Sequence, residues 1–238
     1  MKTLGLLGGI GPESTIEYYR LLVARYREKA NGEYPPVIIN SINLNRIVEW
    51  MTEGEVGKVA DYCSKEIETL VAAGANLGAI CSNTPHIVFD QIKQRSKIPL
   101  VSIVEAAAEN ARSLGLRTVG LFGTRFTMEA PFYPDVFAKV GIKLAIPTAD
   151  EREYIHLKYM GELLNNNFLS ETRDKVLSIV DAMKDRAGVD AIILGGTELP
   201  LLLRADDHNG TLLIDTTRVH VDVLVRHLLG EVVSTVTG

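Results

Sequence analysis

Cysteine is scarce. Cys63 and Cys81 are the only two in 238 residues, too few for a disulfide framework or a cysteine-rich metal site, and a reducing compartment fits them. An excess of basic residues is also missing. With 25 Lys and Arg against 30 Asp and Glu the net charge is -5, which gives no general attraction to phosphate backbones or anionic lipid, so neither a nucleic-acid nor a membrane partner is expected. No long apolar run opens the chain. The stretch MKTLGLLGG contains three glycines and meets Pro12 and Glu13 at once, so it reads neither as a secretory leader nor as a spanning helix, and a cytoplasmic protein is expected. The five histidines show no H-E-x-x-H or H-x-E spacing, and no metal is expected.

What is present is a core. Apolar residues make up 46% of the chain, enough to fill one large domain or two modest ones. Strand-length apolar runs (TLGLLGG, PPVIINSI, NLGAICSN, PLVSIV, TVGLFGT, DAIILGG) alternate with segments of helical period, among them 14–30, 56–73 and the closing VHVDVLVRHLLGEVV. Strand and helix in turn predict parallel sheets covered on both faces. The segment from Lys2 to Gly8 is repeated in kind by Arg117 to Gly123, and Gly74-Ala75-Asn76, leading to Cys81-Ser82-Asn83-Thr84, by Gly188-Val189-Asp190, leading to Gly195-Gly196-Thr197. Two matches at nearly one spacing predict two similar α/β domains, each a three-layer α/β/α arrangement, related by a pseudo-twofold axis. The expected boundaries are 1–100 plus 211–238 for the first and 101–210 for the second.

Ligands in such sheets sit beyond the carboxyl ends of the strands. Gly8-Gly9-Ile10-Gly11-Pro12-Glu13-Ser14 can hold an anion on backbone N–H groups, or be a tight turn into a helix with Pro12 near its first position. It is a poor dinucleotide loop, since Ser14 stands where the third glycine belongs, and it has no Lys-Ser or Lys-Thr pair of a Walker loop. Cys81-Ser82-Asn83-Thr84-Pro85-His86 sets four hydrogen-bonding residues after an apolar strand, partly explained by capping and otherwise suited to a small polar ligand. Gly195-Gly196-Thr197-Glu198 brings glycine, a hydroxyl and a carboxylate to a second strand end. Arg46, Arg125 and Arg152 are candidates for gripping a carboxylate, because a guanidinium forks onto two oxygens.

Taken together, residues 5–15, Ser82-Asn83-Thr84-x-His86, Gly123-Thr124-Arg125-x-Thr127-Met128-Glu129, Asp150-Glu151-Arg152, Gly196-Thr197-Glu198-Leu199 and Asp215-Thr216 resemble the aspartate/glutamate racemase family, closest to its aspartate racemase branch. The resemblance covers essentially the whole chain. It implies inversion at the α-carbon of a small acidic amino acid in an interdomain cleft without a cofactor, by one thiol from each domain, and a homodimer. Substrate contacts then fall on Gly11, Arg46, Met51, Asn83, Thr84, Thr124, Arg152 and Glu198. The α-carboxylate would lie at Asn83, Thr84 and Thr197.

The family strings Cys-Asn-Thr and Gly-Cys-Thr-Glu place Ser82 and Gly196 at the two thiol positions, beside Thr197. Both sulfurs are therefore replaced. Three routes stay open at this stage: Cys81 turned inward by a register slip, although alternation along a strand points it away from Ser82; Ser82 activated by His86 or Glu198, or Thr197 or Glu198 acting from the second half; or engineered changes at positions 82 and 196. The competing reading is a member that binds an amino acid or carboxylate without inverting it, or that performs another carbanion reaction such as decarboxylation or isomerisation.

Overall fold

A computed structural model describes residues 2–231. The described residues divide into two compact units, 2–106 with 217–231 and 107–216. The first unit contains the strands β1 (Leu4–Gly8), β2 (Val37–Ser41), β3 (Leu77–Ile80) and β4 (Leu100–Val101), joined in the order β2-β1-β3-β4. All of its pairings are parallel. The second contains β5 (Thr118–Gly123), β6 (Lys143–Ala145), β7 (Ala191–Gly195), β8 (Asp207–His208) and β9 (Thr211–Asp215), in the order β6-β5-β7-β9-β8. Here only the terminal β8, against β9, runs antiparallel.

Sequence explains which strands are central. β1, β3 and β7 are buried at every residue, as expected of unbroken Leu, Ile and Ala runs lying between two layers of helix. The edge strand β2 is only partly covered. Glycines show that helices lie on both faces of each sheet. A Cβ at Gly5 would meet Leu70 of helix Val56–Ala72 at 3.2 Å, while one at Gly8 would meet Thr15 of helix Pro12–Lys29 at 2.4 Å. Residues three apart on a strand project to opposite faces. In the second unit Gly120 faces Met183 of helix Ser170–Ala187 and Gly123 faces Thr127 in the same manner.

The internal repeat is visible in the registers. Gly5 pairs with Gly78 and Leu7 with Ile80 in one sheet, Gly120 with Ile192 and Phe122 with Leu194 in the other. Setting β1 on β5 and β3 on β7 therefore carries Ser82 onto Gly196. The division of the chain differs from the expected boundaries at both junctions. Residues 101–106 lie in the first unit, and Thr211–Asp215, expected there too, is instead a strand of the second sheet because Leu212 to Asp215 pair with Ala191 to Leu194. The closing helix runs Thr216–Leu228. Val232 and Val233 of its expected span lie outside the described residues. Among the described residues no helix is long and apolar enough to cross a membrane.

Candidate functional site

In the first unit the turn after β1 is set by two left-handed glycines, Gly9 at φ 81° and Gly11 at φ 94°, a region where other side chains are strained. A Cβ at Gly9 would come within 2.4 Å of the Ile42 carbonyl oxygen. The Thr15 hydroxyl accepts from the Gly9 N–H at 2.8 Å and lies 3.3 Å from the Gly11 carbonyl, so it ties the turn to the helix that follows. Gly11 stands at the N-cap of that helix with no side-chain cap bond.

The turn after β3 carries Ser82 and Asn83, both buried, and the half-buried Thr84. Asn83 occupies the N-cap position of the short 3-10 helix Thr84–Val88, yet its side chain makes no cap hydrogen bond. Capping, the bland explanation for Asn-Thr-Pro, thus accounts for Pro85 but not for the asparagine amide. His86 is fixed at both nitrogens. Its Nε2 accepts from the Ile103 N–H at 3.3 Å, which leaves the proton on Nδ1 to be donated to the Ser82 carbonyl at 2.9 Å. Burial lowers its pKa to about 4, so it is neutral at ordinary pH. Its ring stacks on Phe89 at 4.7 Å. The imidazole is committed to main chain, and activation of the Ser82 hydroxyl by His86 is not what this geometry provides.

Cys81 has no exposed surface, and burial pushes its thiol well above the ordinary range. Its N–H donates to the Leu7 carbonyl at 2.9 Å, continuing the strand register. No slip turns it outward. Cys63, buried in helix Val56–Ala72, is raised to about 12 by burial and by Glu66. Neither thiol has the electropositive, partly open surroundings that make a reactive thiolate.

Two other expected contacts of this unit are placed differently from the strand-end residues. Met51 is buried in the helix Leu44–Thr52 and contributes to the core. Arg46, on the same helix, is exposed, with its guanidinium 5.8 Å from the Tyr62 ring centre.

The second unit has its own cluster at the end of β7. Gly196 is followed by Thr197 and Glu198, both nearly inaccessible to solvent. The Thr197 hydroxyl donates to Glu198 Oε2 at 3.0 Å, and the Tyr159 phenol donates to the same oxygen. Tyr159 comes from helix Ala149–Gly161 and is 5% exposed. A Cβ added to Gly196 would meet the Tyr159 ring, 2.4 Å from Cε2 and 3.0 Å from both Cζ and the hydroxyl oxygen. The phenol thus fills the direction in which any side chain at 196 would project. Sequence reasoning passed over Tyr159. Its signal was the apolar spacing Ile155 to Tyr159 on one helix face, which marks burial but not the partner.

After β5, the Thr124 hydroxyl caps the helix Arg125–Glu129 by accepting from the Thr127 N–H at 3.3 Å. Arg152 is held by Glu129 at 3.1 Å and by the Pro147 carbonyl at 2.8 Å, and Arg125 is exposed with Glu153 at 3.8 Å. Arg152 therefore already has a local structural role, clamping the entry to helix Ala149–Gly161. Among the described residues no group of three or more His, Cys, Asp or Glu is arranged to hold a metal ion.

Two α/β units that share the order of four parallel strands, the second adding the antiparallel β8, and that close their central strands in glycine and hydroxyl turns define the class as the doubled α/β racemase architecture. The chain matches the Asp/Glu/Hydantoin racemase family over residues 7–224 and belongs to it. A solved aspartate racemase homologue from Pyrococcus horikoshii is 32% identical at a TM-score of 0.80, covering 96% of this chain and 100% of that one. The Picrophilus torridus aspartate racemase shares the fold at 19% identity and a TM-score of 0.77, covering 98% of this chain and 96% of that one. Among curated relatives, the glutamate racemase of Beutenbergia cavernae is 26% identical over 155 residues, 63% of this chain and 51% of the relative, so the matched segment spans about half of that protein's length.

Proposed function

We propose that this chain binds a small acidic α-amino acid at its strand-end turns and works on the α-carbon without a thiol base and without pyridoxal phosphate. The carrying observation is that a family member over residues 7–224 has its strand-end sulfur, Cys81, wholly buried. The two-thiol inversion that the resemblance implies is not the reading we adopt. Ser82 and Gly196 supply no sulfur, an unactivated hydroxyl is a poor base near neutrality, and Tyr159 occupies the space beside Gly196. As carboxylate-binding groups we assign, on the resemblance alone, Asn83, Thr84 and Gly11 in the first unit and Thr197 and Thr124 in the second. Arg46, exposed and with no salt bridge among the described residues, is better suited to meet an acidic side chain than Arg152, which is already engaged. We assign the same reading a cytoplasmic homodimer, on the resemblance alone, to be checked by light scattering.

Hydrogen exchange at the α-carbon tests it. In D2O with L- and D-aspartate and L- and D-glutamate, loss of the α-proton signal is expected, together with a rise in melting temperature on adding the same ligands. Stabilisation without exchange would make the chain a passive binder and defeat the chemical half of the reading. The absence of both would defeat all of it.

A further inference from the structure

Resting on that reading, we propose that Tyr159 and Glu198 are the proton-transfer pair of the second unit, the phenol acting from the space that a side chain at residue 196 would fill. The geometry converges on one oxygen. The Tyr159 hydroxyl lies 3.0 Å from the Cβ position of Gly196 and donates to the buried Glu198 carboxylate, onto which Thr197 also donates at 3.0 Å. A plain core tyrosine would need one hydrogen-bond partner. This one shares a buried carboxylate oxygen with the Thr197 hydroxyl and lies beside Gly196 at the end of the central strand, where ligands of such sheets bind.

The phenol is held protonated, since burial and the adjacent carboxylate both raise its pKa well above the usual range. It therefore serves as a relay, with Glu198 as the ultimate base. The phenol oxygen takes the α-hydrogen as its own proton passes to Glu198. The Cα–H bond breaks and leaves its electron pair on the substrate, spread into the α-carboxylate, while an O–H bond forms on Tyr159 and another on Glu198. Returning the proton by the same route regenerates the amino acid, and neither an oxidant nor a co-reactant is consumed. One such pair exchanges the α-hydrogen. Inversion needs a second donor on the opposite side of the carbon.

The test uses the full chain in D2O with each of the four amino acids at saturating concentration, followed by proton NMR. Tyr159→Phe and Glu198→Gln are each expected to slow α-hydrogen exchange by about 100-fold or more, the range of a lost acid or base group. The half-saturating concentration should stay within about twofold, a split that a merely structural role would not produce. Circular dichroism checks folding, and Glu198→Gln, which keeps shape and a hydrogen bond to the phenol, decides the matter if Tyr159→Phe does not fold. Exchange at the parental rate in both variants overturns this inference while leaving the proposed function standing. Absence of exchange in the parent chain removes the proposed function first, and this pair with it.

Discussion

Mild acid should loosen the first unit, because that unit buries two neutral imidazoles. His220 is fully enclosed, its Nε2 donating to the Val101 carbonyl at 3.1 Å and its Nδ1 accepting from the Tyr18 hydroxyl at 2.8 Å. Burial, chiefly, depresses its pKa to about 3 and that of His86 to about 4. The unfolded chain binds these protons near pH 6.5, whereas the folded chain refuses them until far lower pH. Between those limits the unfolded state carries more protons, so stability falls as pH falls. At pH 5 each imidazole sits about 1.5 pH units below its unfolded pKa, which costs about 2 kcal/mol per group and on the order of 4 kcal/mol for the pair. Against a domain stability of about 5–15 kcal/mol that is a large share.

The assay is available in the sequence. Trp50 is the only tryptophan, lies in the first unit, and packs edge-on against Tyr62 at 5.5 Å, so its fluorescence reports unfolding of that unit in urea. The midpoint at pH 5 should fall well below that at pH 7, and His220→Gln should remove about half of the difference. His227, half-buried and shifted in the same direction, adds to the effect. Carboxylates lowered by their partners lose their stabilisation as pH falls from the ordinary carboxylate value, about 4.3 for Glu, downward, and Glu109 beside Arg112, one such group, lies in the second unit. Equal midpoints at pH 5 and pH 7 would refute the assignment of both histidines as buried neutral groups.

Three further outcomes follow from the same geometry. A disulfide-exchange reagent such as dithionitrobenzoate should leave both thiols of the native chain unlabelled and titrate two after denaturation, since Cys63 and Cys81 are buried and raised in pKa; fast labelling of native protein would mean that a strand-end sulfur is accessible after all. Gly9→Ala should destabilise by about 2 kcal/mol or more, as the φ of 81° costs roughly 1–2 kcal/mol in a residue with a Cβ and the Ile42 carbonyl at 2.4 Å is backbone that cannot rotate away; urea titration measures it. Thr148→Ala breaks the capping box with Glu151 at the start of helix Ala149–Gly161 and should cost about 1 kcal/mol, visible as a lowered melting temperature.

The sheet cores were legible because periodicity is a local property. LGLLG, LGAI and AIILG are unbroken apolar runs bounded by turn residues, and a buried parallel strand needs little else. The repeat was legible for a related reason, as Gly5 and Gly120 each admit a helix or side chain close to the central strand. The place of Thr211–Asp215 was not. Its partner Ala191–Gly195 belongs to a different stretch of chain, and no feature of TLLID says which sheet it joins. Cys81 and Ser82 were separable in advance by alternation along a strand, and the buried thiol agrees with that default. His86 could be seen as polar at a strand end, but its capture by the Ile103 N–H depends on a contact across 17 residues. Tyr159 was invisible for the same kind of reason. A glycine declares that no side chain is present, and only coordinates reveal what has moved into the space.

That occupancy changes what thiol restoration can be expected to do. The simplest attempt, Gly196→Cys, puts a Cβ where the Tyr159 ring lies at 2.4 Å, closer than any carbon contact allows, so either the ring or strand β7 must shift. Tyr159 is buried and hydrogen-bonded to Glu198; displacing it costs about 1–3 kcal/mol as overpacking, plus about 1 kcal/mol for the lost hydrogen bond from the phenol to Glu198. Gly196→Ala isolates the steric part and should lower stability by the first amount without adding any chemistry. Tyr159→Leu, which withdraws the outer ring atoms, should make Gly196→Cys tolerable, so the double variant should be more stable than the sum of its single changes by about 1 kcal/mol or more, a coupling that direct contacts show and distant sites do not. Additive effects in that double-mutant cycle would mean that the ring does not occupy the position beside Gly196.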